Sequence, residues 1–296
     1  MSEKPTREEM IRMVAETRKH VTSAPVTPEE MNEFPVAPEK LRIPTRVGDS
    51  ETYLTSAADA GDASLLVINY HGGGFIRCRT ESDELFCRRM TVELHCRVLD
   101  VDYRLAPEHP FPTGLHESYD VAVWAYEHAK ELGADPEKIV LMGHSAGGNF
   151  VVGISMMLEQ SGIFKPLGVV SDYPPMDLAT DPGEKVQRGN VIPVERARLY
   201  NLYYCDEEHQ RDPLVSPLLA PDEMLLHFPR TLFLTASEDS LCTETEQFAL
   251  RLAQLGNEVT LKRFQGVGHA FTIYRKPGYQ EANELIFRFV RSLLQK

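Results

Sequence analysis

Short apolar runs that alternate with helical stripes constrain this chain most. Leu65-Leu-Val-Ile-Asn-Tyr70 runs directly into His71 and three glycines. It is too short to cross a membrane and too uniformly apolar for a strand with one wet face, so it predicts a strand buried on both sides of a sheet. Similar runs occur at 97–101, 139–142, 167–170, 231–235 and 259–264. Between several of them, helical spacing predicts helices over 118–132, 147–160 and 243–255. Leu285, Ile286, Phe289, Val290, Leu293 and Leu294 line one stripe of a final helix. Strands and helices in this alternation predict an α/β fold, with a mainly parallel central sheet and helices on both faces.

The flanks read differently. Thr6-x-x-Glu9 is a capping-box pattern ahead of Met10, Met13, Val14, Thr17 and Val21 at helical spacing. Prolines 25, 28, 35, 38 and 44 forbid a continuous helix beyond it. Residues 40–57 alternate weakly around Gly48-Asp49, as a hairpin would. Residues 174–228 break the strand–helix rhythm with proline-rich edges around a helix near 194–205. The expected organisation is one domain over 1–296, with residues 1–40 and 174–228 forming a small cap.

Composition removes whole classes of function. Lys plus Arg is 31 against Asp plus Glu 44, a formal charge of −13. That balance argues against nucleic acid and against anionic membrane as partners, since both require a basic face. No apolar run approaches the roughly 20 residues of a spanning helix, and the N-terminus lacks the basic start and apolar centre of a signal peptide. The 5 cysteines are widely spaced and never Cys-x-x-Cys. Buried or half-buried free thiols in a reducing, cytoplasmic setting are therefore expected, rather than disulfides or a zinc site.

Gly143-His144-Ser145-Ala146-Gly147 lies directly between a predicted strand and a predicted helix. A sharp strand-to-helix turn of this kind exposes the serine hydroxyl at the sheet's edge, and the glycines remove the Cβ atoms that would clash there. His71-Gly72-Gly73-Gly74 is the rarer signal, expected by chance only about 0.003 times in a chain of this composition. Consecutive glycines let backbone N–H groups face a developing oxyanion. A phosphate cradle is the competing reading, but neither Gly-x-Gly-x-x-Gly nor a Walker lysine is present.

A serine nucleophile needs a base, and the base needs an acid to orient it. Of the 10 histidines, His227 and His269 are the two that follow Asp212. His269 sits in a Gly-rich loop between the last strand and the last helix, at a strand's C-terminal edge. His227 precedes a strand and belongs at the opposite edge. His144 adjoins the serine, but the turn should direct neighbouring side chains apart. For the acid, Glu238 and Asp239 both follow the strand at 231–235, and spacing does not choose between them.

These residues resemble the hormone-sensitive lipase family of α/β hydrolases, which includes many bacterial carboxylesterases. The resemblance rests on His71–Gly74, on Asp102-Tyr-Arg-Leu-Ala-Pro-Glu-His-Pro110, and on Gly143 to Asn149, with His144 where the family usually has Asp. It runs from about residue 64 to the C-terminus. The resemblance implies an α/β-hydrolase fold with a helical cap, Ser145 as nucleophile, His269 as base and Asp239 as acid. It also implies an oxyanion hole from the N–H groups of Gly73, Gly74 and Ala146, and a structural role for Asp102, Tyr103, Arg104, Glu108 and His109. In the acid segment Ser240 and Thr243 depart from the family pattern.

The function expected from these residues and the resemblance is hydrolysis of small-molecule esters with short acyl groups, acetyl to about hexanoyl, through an acyl-enzyme. That chemistry calls for no metal or organic cofactor. Alternatives are a non-catalytic ligand-binding protein on the same scaffold, and an amidase or peptidase using the same triad. A homo-oligomer stays open.

Overall fold

A computed structural model describes residues 5–19, 25–189 and 192–295. Its centre is an eight-stranded sheet of β1 (Glu39–Ile43), β2 (Ser50–Ser56), β3 (Ser64–Tyr70), β4 (Arg97–Asp102), β5 (Ala134–His144), β6 (Gly168–Asp172), β7 (Thr231–Ala236) and β8 (Val259–Phe264). Their order across the sheet is β1-β2-β4-β3-β5-β6-β7-β8. From β4 to β8 all neighbours are parallel. The hairpin expected around Gly48 supplies β1 and β2, which pair antiparallel with each other, and β2 continues antiparallel against β4.

Burial follows the texture of the strands. In β3 Leu66 and Ile68 face one side, Leu65 and Val67 the other, and all four are buried. Each such side chain contributes roughly 1.5–3 kcal/mol of transfer free energy. Strand β8 departs from the expectation of a doubly buried run: it closes the sheet's edge, its middle is exposed, and Lys262 and Arg263 blunt it against further pairing.

Helices α1 (Arg7–Lys19), α2 (Pro28–Asn32), α3 (Glu81–Leu94), α4 (Thr113–Glu127), α5 (Ala146–Ser161), α6 (Val194–Tyr204), α7 (Cys242–Gln254) and α8 (Tyr279–Leu293) complete the chain. Side chains of α4 and α5 pack on one face of the sheet, those of α3 and α8 on the other, and α7 packs beside α5 against Phe233. The capping box at Thr6 forms: Glu9 accepts from the Thr6 amide at 2.7 Å, and Thr6 Oγ1 accepts from the Glu9 amide at 3.3 Å. Met10 and Val14 are buried, Met13 is exposed, and Val21 lies outside the described residues.

One expected helix is shifted, and one helix was not expected. Helix α4 runs 113–127, not 118–132, because the Pro110–Pro112 segment releases the chain into helix at Thr113. Its end comes where the His128 ring meets the Trp124 carbonyl at 2.9 Å. Helix α3 was not anticipated from the apolar pattern at all, although it carries a complete capping box between Thr80 and Asp83.

Candidate active site

Turns after β3, β5, β7 and β8 converge at the C-terminal edge of the parallel strands, where ligand sites of open α/β sheets lie. Strand β5 ends at His144 and α5 begins at Ala146, so the reversal falls on Ser145, held at φ 51° and ψ −115°. A residue with a Cβ in such a conformation stores of order 1–3 kcal/mol. Close packing on both sides over-determines it. A Cβ on Gly147 would stand 1.9 Å from the Tyr70 carbonyl oxygen, so only glycine lets α5 start this close to β3. Ser145 is 8% exposed and lines a cavity.

The loop after β8 carries His269 to the same place. Its Nε2 lies 2.9 Å from Ser145 Oγ, and its Nδ1 lies 2.6 Å from Asp239 Oδ2. Asp239 is fully buried, and its other oxygen accepts from the Leu241 amide at 3.1 Å. A carboxylate at Nδ1 requires the proton there, which leaves Nε2 as acceptor for the serine hydroxyl. The two acids left open by spacing therefore separate in space. Glu238 instead accepts from Ser237 Oγ at 3.2 Å and faces Gly189. His227 is exposed just before β7, at the other edge of the sheet, as expected.

Gly72, Gly73 and Gly74 line the cavity together with Ser145 and His269, while Ala146 is buried immediately behind the serine. Gly73 has φ +125°, and a Cβ there would come 2.7 Å from Arg77 Cβ, so the loop's path excludes a side chain. The Ala146 amide opens α5 and is among the N–H groups without an intrahelical acceptor. Beneath the loop, His71 stacks on Tyr103 at 4.2 Å, and the Tyr103 hydroxyl donates to the His71 carbonyl at 2.7 Å. His71 Nδ1 meets the Gly72 carbonyl at 2.7 Å, and Nε2 lies 3.5 Å from Asp102. Burial pushes the His71 imidazole down, but Asp102 and Asp83 outweigh it and hold it above its ordinary pKa. Burial pushes Asp102 up, and His71 outweighs that in turn, leaving the carboxyl below its usual range.

The rest of that sequence stretch is structural in placement. Arg104 pairs with buried Glu117 at 2.6 Å, and Glu108 pairs with Arg18 of α1 at 2.6 Å. His109 is exposed.

The cavity encloses about 440 Å³. Its walls come from the glycine loop, from Arg77 to Thr80 and Asp83, from α6 through Arg196, Ala197, Tyr200 and Asn201, and from Ala270, Ile273 and Tyr274. Cys78 belongs to this wall and is exposed, which corrects the expectation that every thiol is buried or half-buried; the other four are buried. The segment leaving the glycine loop opens onto the cavity before α3 begins. Among the described residues no group of three or more His, Cys, Asp and Glu side chains could hold a metal ion.

Sequence reasoning missed one pair. His144 does turn away from Ser145, but it is not idle: it is buried, and its Nδ1 lies 2.9 Å from Asp172 Oδ2. No motif links these residues, which meet only because β5 and β6 place them side by side.

An arrangement in which imidazole can take a hydroxyl proton, beside a glycine loop that lines the same cavity, suits attack on an acyl carbon. Comparison with known proteins agrees with the fold. A family model described as alpha/beta hydrolase fold matches residues 67–273. The chain belongs to this family, the hormone-sensitive-lipase-like branch of the α/β hydrolases. It is 34% identical over 209 residues to an arylesterase of Saccharolobus solfataricus, covering 70% of this chain and 68% of that one. It is 32% identical over 238 residues to the carboxylic ester hydrolase LipN of Mycobacterium tuberculosis, covering 76% and 63%. The chain thus spans somewhat under two thirds of the second relative's length. Among solved structures, a hyperthermophilic esterase from Pyrobaculum calidifontis superposes with a TM-score of 0.80 at 28% identity, over 98% of this chain and 93% of that one. Among the described residues no helix is long and apolar enough to cross a membrane.

Proposed function

We propose that the protein is a serine carboxylesterase that hydrolyses short-acyl esters of small molecules, acetyl to about hexanoyl. The observation that carries this reading is the continuous contact Ser145 Oγ–His269 Nε2–His269 Nδ1–Asp239 Oδ2, at 2.9 and 2.6 Å, opening on a cavity bordered by the glycine loop. Esterase names among the relatives support the reaction class.

In the first half-reaction His269 takes the Ser145 proton as Oγ attacks the ester carbonyl. Charge collects on the carbonyl oxygen, and the amides of Gly73, Gly74 and Ala146 stabilise it, a contribution of about 3–4 kcal/mol per donor in comparable sites. Asp239 keeps the proton on Nδ1 and stabilises the imidazolium. His269 then gives its proton to the leaving alcohol, and the acyl group remains on Ser145. In the second half, His269 deprotonates water as it attacks the acyl-enzyme, then returns that proton to Ser145 Oγ as the acid leaves. His269 carries each proton, so the cycle as written calls on no cofactor.

A cavity of about 440 Å³ sits toward the lower part of the roughly 300–1,000 Å³ range of small-molecule sites, which favours short acyl chains. Helix α6 and its flanks wall the cavity opposite the sheet, and Arg18 of α1 also reaches it. On this basis residues 1–40 and 174–228 act as the cap that sets chain length. A purely ligand-binding role would not need a base aligned on the serine, and an amidase would share every feature named.

The test is kcat/KM on p-nitrophenyl esters from acetate to dodecanoate, with Ser145→Ala as the blank. Serine-dependent turnover that falls beyond hexanoate is expected. Turnover no higher than the blank at every length, from folded protein, would overturn the esterase reading, and a preference for dodecanoate would overturn the short-acyl one.

A further inference from the structure

Asp172 is fully buried at the C-terminal end of β6, and the reaction as written does not use it. Its contacts reach both halves of the site. The Asp172 carbonyl accepts the Ser145 N–H at 2.8 Å, and Oδ2 faces His144 Nδ1 at 2.9 Å. The same Oδ2 accepts from Thr272 Oγ1 at 2.6 Å, and Thr272 lies three residues beyond His269 in the same turn. Because Thr272 gives its one proton to Asp172, the Tyr173 hydroxyl at 2.6 Å must donate to Thr272. The Tyr173 ring in turn packs edge-on against the His269 imidazole at 4.9 Å. His144, Asp172, Tyr173 and Thr272 are each at most 2% exposed, so water does not compete for these bonds.

We propose that Asp172 is a positioning residue, tying the serine turn to the histidine turn and so setting the Ser145–His269 separation. The proposal rests on the esterase reading above. Neither turn is held relative to the other by the triad alone. Asp239 orients the imidazole, but it rides on the loop after β7 and touches nothing of the serine turn. Asp172 bonds the serine's own amide and the turn that carries the base, from the strand between β5 and β7. Tyr173, its chain neighbour, covers the imidazole from the side. Misplacement of reacting groups by about 1 Å can cost on the order of a hundredfold in rate, so loosening this tie should appear in kcat rather than in substrate affinity.

Thr272→Val tests this because it keeps the side chain's shape and removes its hydroxyl. On p-nitrophenyl butyrate, kcat should fall about tenfold to a hundredfold while KM stays within about twofold, and Thr272→Ser should recover most of the loss. If Thr272→Val does not fold, Asp172→Asn is read in the same way, since it keeps the side-chain size while replacing the paired acceptor. A kcat for the folded variant within about twofold of the wild type would overturn the proposal, as would a Thr272→Ser no better than Thr272→Val. Wild-type protein without serine-dependent turnover would overturn the esterase reading as well, which separates the two failures.

Discussion

Two histidine–aspartate pairs flank Ser145, and they are built almost alike. His269 sets Nδ1 2.6 Å from Asp239, and His144 sets Nδ1 2.9 Å from Asp172; both carboxylates are fully buried. What separates them is the far nitrogen. His269 Nε2 points at the serine hydroxyl and the cavity, whereas His144 Nε2 has no hydrogen-bond partner and its ring stands edge-on to Phe86 at 4.7 Å. The same two side chains thus make a proton acceptor in one place and a rivet in the other. Pairing with a carboxylate orients an imidazole, but only access to a reacting atom makes it a base. A search for His–Asp contacts would find both pairs, and only the serine's position tells them apart.

Breaking the first pair should have the largest effect. Ser145→Ala is expected to lower kcat by about 10⁴-fold or more, with the fold retained, and His269→Ala by a similar factor. Asp239→Asn should cost about 10³- to 10⁴-fold through loss of the required tautomer. Glu238→Gln, one residue away, should change kcat less than about threefold, since its carboxylate does not touch the imidazole. A reversed ranking in steady-state kinetics would move the acid role to Glu238.

Loss of His144 from the second pair should show in stability before activity. His144→Phe keeps a ring against Phe86 but removes a donor from buried Asp172. A loss of about 1–3 kcal/mol is expected in urea unfolding, with less than about tenfold lost from kcat. A loss of activity as large as that of His269→Ala would erase the distinction between the pairs.

The smallest effect concerns a third buried carboxylate, Glu244, where the 174–228 segment meets α7. It accepts the Met176 amide at 2.8 Å and pairs with Lys185 at 2.6 Å. Burial pushes its pKa up to about 7, against the opposing pull of Lys185 and the Met176 amide. A carboxyl whose folded pKa lies above its unfolded value of about 4.3 binds more protons when folded, so its contribution to stability falls as pH rises between those values. Glu244→Gln should remove that slope. The Tm difference, variant minus wild type, should rise from pH 5 to pH 7.5, and a flat difference would contradict the assignment.

The sequence made the first pair legible and left the second hidden, for a physical reason. Ser145, His269 and the glycines of 72–74 lie in short local patterns whose turns demand small or exposed residues, so composition at each turn announces the geometry. The choice between Glu238 and Asp239 was not local, because it depends on which carboxylate points across to β8. His144–Asp172 depends on the register of β5 and β6, which no window of sequence contains. The inner parallel strands could be read because burial on both faces leaves apolar runs. Helix α3 could not, because Ser82, Asp83 and Thr91 are buried among its apolar residues and blur the stripe; its Thr80–Asp83 capping box was the available signal. The wall that α6 adds to the cavity is a long-range contact of an unpatterned segment, visible only once folded.

The most direct test of Ser145 as the nucleophile is covalent labelling. The protein is treated with a p-nitrophenyl alkylphosphonate, digested, and mapped by mass spectrometry, alongside Ser145→Ala. One phosphonyl group on the peptide containing Ser145, with activity lost in step with labelling and no label on the variant, is the predicted result. Label on another residue, or equal labelling of Ser145→Ala, would contradict it.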